Sequence, residues 1–211
     1  MDTDIVQATT RYAEEVLGQE GFCYVSAVVA NSKMLAWELE AQEEEDAPSV
    51  YMEALVVAGY LHDISTVQHG FHDHHRKSAE MAVEFLRRQK ASDECIKTVE
   101  QAIRWHTTSG SAVQDEVLPI EGLILYDADK LGRLSGLAVV TSLIEFGARY
   151  PNRAVNGEIL AAILRHIEER FVELYQSLNT NPARMLAREK FSRTLAFLDG
   201  VIEHLSDATP I

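Results

Sequence analysis

The sequence predicts an all-α fold, a single-domain helical bundle, on three observations. Apolar residues recur at spacings of three and four along most of the chain, and strand-like alternation is scarce. Val25, Val28, Val29, Ser32, Leu35 and Ala36 show the pattern clearly, because steps of about 100° per residue put them on one side of a helix. With 211 residues, 46% hydrophobic and 25% charged, and no repeat, low-complexity tract or linker, the chain fits one folded domain over 1–211.

Each element follows from local signals. A first helix is predicted over 3–18 and a second over 22–44, where the charged run QEEEDAP ends in Pro48 as a solvated helix end and loop. A third, over 49–63, starts behind that proline and runs into His62 and Asp63. After a loop rich in Gly and His, residues 74–89 form a helix. Ser92 then caps another, DECIKTVEQAIRWH, with Asp93 and Glu94 in its first turn and His106 at its end. TTSGSAVQDEVLP reads as a loop, and a helix resumes near Pro119 and carries Tyr126 to Leu134. Three more are expected over 136–149, 155–177 and 182–206.

Charge and composition exclude several functions. A net charge of −14 repels phosphate backbones, and no Lys/Arg stripe offsets it, so long nucleic acids are not expected partners. A small phosphorylated molecule is not excluded, because a bound divalent cation reverses the local field. The acidic N-terminus lacks the basic and apolar regions of a signal peptide. No apolar run reaches the roughly 18 to 20 residues that span a bilayer, so a cytoplasmic protein without a membrane partner is expected. Cys23 and Cys95 are read as reduced core thiols.

The histidines carry the functional signal. Five of the eight lie between 62 and 75, as His62, His69, His72, His74 and His75, with Asp63 and Asp73 among them. Imidazole and carboxylate suit a divalent cation and leave positions open for water and substrate, which is a site suited to hydrolysis. Adjacent helical residues such as His62 and Asp63 diverge by about 100°, so both ligate one ion only if it lies between their faces near a helix end. Further ligands come from other segments, with His74, His106 and Asp129 as candidates. His69, His72 and His75 either extend a second metal site or belong to a polar loop. Arg76, Lys77 and Lys130 are candidate phosphate-binding cations or solvated charges.

YLHDIS, HDHHRKSAEMA, VEQAIRWH and YDADKL, in that order, resemble the successive motifs of the HD-domain superfamily of metal-dependent phosphohydrolases over about 20–135. The segment NPARMLAREKFSRTLAFLDGVIEHL resembles the closing helices, within about 136–207, of an uncharacterised bacterial subgroup. The resemblance implies a helical bundle of the HD type. It makes His62, Asp63, His74, His106 and Asp129 ligands of a divalent metal (Mn, Fe, Co, Ni, Zn or Mg). It further implies hydrolysis of a phosphoester or phosphoanhydride in a small phosphorylated molecule, nucleotides included, and a homo-oligomer is compatible with it. His62 and Asp63 are then catalytic through the metal, with Asp127, or a histidine not engaged by the metal, a candidate for moving protons.

One departure opens a rival. Tyr24, in Tyr24-Val25-Ser26-Ala27-Val28, stands where the family pattern has its first histidine. A phenol there could ligate the metal, hydrogen-bond a bound water or fill space. A ligand-binding or regulatory module without turnover is therefore the alternative function, and an all-α structural protein with incidental histidines is a third.

Overall fold

Gly18 breaks the N-terminal helix where the sequence predicts a boundary, at φ 67° and ψ −179°, a left-handed backbone region that glycine enters without steric cost. The computed structural model of the protein describes residues 3–41, 49–107, 118–133, 136–151 and 157–206. Every extended regular element among them is helical, with no strand. In chain order these are α1 (Thr3–Glu40), α2 (Met52–Leu61), α3 (Thr66–His69), α4 (His74–Arg88), α5 (Asp93–Trp105), α6 (Ile120–Arg133), α7 (Gly136–Arg149), α8 (Gly157–Ser177) and α9 (Asn181–Ser206). The 42–48 run and residues 108–117 of the predicted loop lie outside the described residues.

The chain packs as two compact units, Met1–Asp129 with Asn179–Ala183, and Lys130–Leu178 with Arg184–Ile211. In the first, α2 is central. Its sequence MEALVVAGYL is apolar on nearly all sides, and Glu53 to Gly59 and Leu61 are buried, as expected of a helix enclosed by others. It packs against α1, α4 and α5, and α4 packs against α5. Tyr12 of α1 stacks on Phe85 of α4 at 4.3 Å between ring centroids. Gly59 marks a close approach of α1 to α2: a Cβ there would stand 2.7 Å from a methyl of Val29.

Local signals set the ends of the site-bearing helices. Ser92 caps α5, its hydroxyl accepting from the amide of Cys95 at 3.1 Å. Beyond Leu61 the chain tightens, with the amide of Ile64 donating to the Leu61 carbonyl and that of Thr66 to the Asp63 carbonyl. The predicted helix over 49–63 therefore stops two residues early and leaves His62 and Asp63 at its end. Cys95 is buried but Cys23 is exposed, against the expectation that both are core thiols. Cys23 lies about 200° around the helix from the buried Val25, on the solvent side.

In the second unit Ala161, Leu164, Ile167 and Phe171 form the buried stripe of α8. Tyr175 stacks on Phe191 of α9 at 4.6 Å. No described helix is long and apolar enough to cross a membrane.

Candidate metal centre

Three histidines occupy helix ends in the first unit. His62 is the C-cap of α2, His74 the first residue of α4 and His106 the C-cap of α5. Each places Nδ1 against the carbonyl three residues earlier: His62 on Gly59 at 2.8 Å, His74 on Phe71 at 2.8 Å and His106 on Ile103 at 2.6 Å. A carbonyl only accepts, so each Nδ1 carries the hydrogen and the neutral ring presents a bare lone pair at Nε2. A backbone partner that fixes tautomer and ring orientation in this way is the usual support of a metal-ligating histidine.

The three Nε2 atoms converge on Asp63. His62 lies 3.5 Å from Oδ2, and His74 and His106 lie 3.4 and 3.9 Å from Oδ1. The His106 ring stands edge-on to those of His62 and His74, with centroids 5.0 and 5.3 Å away. His62 and His106 are at most 1% exposed and Asp63 8%. These separations are in ion-pair range but are not hydrogen bonds, and His62 Nε2 and Asp63 Oδ1 are buried without a hydrogen-bond partner. Nitrogen lone pairs facing carboxylate oxygens in a largely buried site are costly unless a proton or a cation lies between them. His62, Asp63 and His106 offer ligand atoms all within 4.8 Å of one another, so the donor set fits a divalent cation.

Residues 26–134, just over half of the 211, match the family described as HD domain. The chain belongs to the HD domain family. HD domains generally bind divalent metals, and the His62, Asp63 and His106 group provides a place for one. No curated protein matches the sequence. Solved structures with the same fold include the Lin1889 protein from Listeria innocua, 17% identical with a TM-score of 0.68 over 98% of both chains. An HD-superfamily hydrolase from Bacillus thuringiensis is 18% identical, TM-score 0.68, over 99% of this chain and 100% of its own. Bacillus subtilis YpgQ, solved in complex with ADP, is 17% identical, TM-score 0.64, over 95% of this chain and 94% of its own.

The remaining candidates of this HD domain fall into three groups. Asp129 in α6 is 2% exposed and accepts a hydrogen bond from the hydroxyl of Tyr24, so the phenol meets a carboxylate directly. The Tyr24 ring lies 6.4 Å from that of His62. The matched region begins two residues after Tyr24.

Asp127 is engaged elsewhere. Its Oδ1 accepts from the amide and side chain of Asn179 at 2.8 and 3.1 Å, and its Oδ2 from the amide and hydroxyl of Thr180, both at 2.7 Å. Burial pushes its carboxyl above the ordinary range, partly offset by those four donors. These bonds tie residues 179–180 to α6, and Thr180 in turn accepts from the Ala183 amide at the start of α9. Because Asp127 and Asp129 differ by about 200° around the helix, they serve opposite sides of α6.

The third group lies around the start of α4. His75 is half-buried, its ring 5.8 Å from that of His74, and its basicity is lowered by burial and then by His74, with smaller contributions from Arg76 and Arg104. Arg76 is exposed, while Lys77 and Lys130 are half-buried. His72 is exposed and pairs with Asp73 at 3.2 Å. His69 is exposed. Neither His69 nor His72 belongs to the cluster at Asp63. The residues that sequence reasoning passed over are Ser65 and Ser78. The Ser78 hydroxyl donates to that of Ser65 at 3.0 Å and accepts from the Ser65 amide at 3.1 Å, while the Ser65 hydroxyl donates to the carbonyl of His74 at 3.1 Å. This clasp fixes His74 beside Asp63, and its signal was the His-x-x-x-Ser-Ala motif.

Proposed function

We propose that this HD domain is a metal-dependent phosphohydrolase of the cytoplasm, acting on a small phosphorylated molecule, nucleotides included. The observation that carries the reading is the convergence of three tautomer-fixed imidazoles on the buried carboxylate of Asp63, with His62 Nε2 and Asp63 Oδ1 lacking hydrogen-bond partners. His62, Asp63, His74, His106 and Asp129 are the proposed ligands. A divalent ion bound there supplies Lewis-acid polarisation of a phosphoryl oxygen and a more acidic water.

The chain's own residues do the rest. Two carboxylates balance the charge of the ion, and the backbone carbonyls of Gly59, Phe71 and Ile103 fix the tautomer and orientation of the imidazoles. His74, whose side chain is 16% exposed, is the proposed side of entry for substrate. Arg76 and Lys77 are the proposed phosphate partners. His75, half-buried with its ring 5.8 Å from that of His74, is the proposed group for moving protons. The ADP bound to YpgQ supports a nucleotide as the substrate class.

Metal analysis of the purified protein, followed by a phosphatase screen with each added cation, tests the reading. Turnover that disappears on chelation and in His62→Ala supports it, and inactivity with every cation and phosphorylated substrate sinks it. The Tyr24 hydroxyl on Asp129 favours one second reading, an HD domain that binds its ligand without turnover. Tyr24→His separates the two: activity that appears only in that variant supports the binding module.

A further inference from the structure

We propose that Tyr24 is a positioning residue for the metal centre, holding the carboxylate of Asp129 beside the histidine cluster in place of contributing a ligand of its own. This rests on the metal-centre reading above but not on turnover. The phenol can only donate to an ionised carboxylate, and a carboxylate has about four lone-pair sites, so accepting from Tyr24 leaves Asp129 able to ligate. Hydrogen-bonded carboxylates of this kind keep a metal ligand oriented, and their partners typically matter to affinity as much as to geometry.

Three further contacts set the phenol where it is. Val25, Val28 and Val29 are buried and anchor this stretch of α1, which packs on α2. Asn31, seven residues and two turns beyond Tyr24 on the same face, donates from Nδ2 to the carbonyl of Ala128 at 3.3 Å, which ties α1 to α6 next to Asp129. The Tyr24 ring also lies 6.4 Å from the His62 ring, so one side chain meets the α6 carboxylate through its hydroxyl and neighbours the α2 histidine through its ring. With tyrosine in place of the histidine that the family resemblance implies, this position would supply no nitrogen donor to an ion held by the cluster, and its hydroxyl engages Asp129.

Titration calorimetry of the metal-free full chain with Mn²⁺ or Co²⁺ alone tests this. Tyr24→Phe removes only the hydroxyl, and its metal affinity is expected to fall roughly 10- to 100-fold. Its Co²⁺ visible spectrum is expected to shift, whereas a tyrosine that merely fills space would leave the spectrum unchanged. Tyr60→Phe, which alters a tyrosine stacked on Phe22 outside the centre, serves as the control and is expected to bind as the natural chain does. In an Asp129→Asn background, Tyr24→Phe is expected to cost no further affinity, because it acts through Asp129. Independent, multiplying losses in that double-mutant cycle overturn the proposal, as does a Tyr24→Phe variant that binds metal as well as or better than the natural chain. A natural chain that binds neither cation overturns the metal-centre reading itself, and is thereby distinguished from failure of the Tyr24 assignment. If Tyr24→Phe melts before titration, Tyr24→His replaces it: affinity at or above that of the natural chain supports a position beside the ion, and no binding overturns it.

Discussion

Nε2 of His74 lies 3.4 Å from Oδ1 of Asp63, a contact between the first residue of α4 and the residue just past the end of α2. It is too poorly aligned to be a hydrogen bond, and it makes Asp63 a buried charge whose neighbours present lone pairs to it. At pH 8 in the presence of EDTA, Asp63→Asn is therefore expected to raise stability by about 1–2 kcal/mol, by removing an unpaired buried charge. The same variant is expected to lose the thermal stabilisation that Mn²⁺ confers on the natural chain. Urea melts with and without metal read both effects, and a metal-free variant less stable than the natural chain would refute the argument.

Ser78→Ala breaks the clasp that fixes His74. A loss of about 1 kcal/mol in stability is expected for a buried hydroxyl with neutral partners. Metal affinity should also drop, because the carbonyl of His74 loses the ordered Ser65 hydroxyl. Equal metal affinity in the two proteins would show that α4 alone orients the ring.

Gly59→Ala places a methyl carbon 2.7 Å from a buried methyl of Val29. Overpacking of this kind costs about 1–3 kcal/mol, against about 1 kcal/mol gained in helix propensity, so a net loss of roughly 1 kcal/mol is expected. The displacement lies one turn from His62 and should weaken metal binding as well. A variant more stable than the natural chain, measured by chemical denaturation, would count against close packing at this point.

Asp127→Ala leaves the amides of Asn179 and Thr180 without their acceptor. The expected loss is about 3 kcal/mol, the upper range for buried hydrogen bonds to a charged group. Metal bound per chain should stay at the natural value below the melting temperature. Loss of metal at natural stability would instead place Asp127 in the centre.

Burial pushes the thiol of Cys95 above its ordinary value, with the nearby Glu53 adding to the shift, and burial pushes the phenol of Tyr51 upward too. Both groups keep their protons in the folded chain to higher pH than in the unfolded one. Their contribution is therefore complete below the ordinary values and is lost as pH rises through the folded ones, so stability should decline above about pH 9. Iodoacetamide at pH 8 should modify Cys23, which is exposed, and spare Cys95 until the protein unfolds. Equal labelling of the two in the native state, followed by peptide mass spectrometry, would contradict this.

The helices were legible because their signals are local. Ser92 with Asp93 and Glu94, Pro48 and Gly18 act over one or two turns, and the spacing of apolar residues sets which face is buried whatever it packs against. The His-Asp motifs in order were enough to place the chain in the HD domain family, and they pointed to three imidazoles and a carboxylate that the fold does bring together. The sequence by itself thus determined the all-α class, the helix boundaries to within a few residues and the residues worth placing at one point. Only the tertiary structure decided what those residues do to one another. YDADKL singled out Asp129 as a ligand and Asp127 as a group for moving protons, yet Asp127 accepts four bonds from residues 179–180 and Asp129 meets Tyr24, because partners 52 to 105 positions away are chosen by packing and leave no periodic trace. Tyr24 likewise read as a ligand, a partner of bound water or a filler of space, and the contact of α1 with α6 supplied a carboxylate that none of the three named.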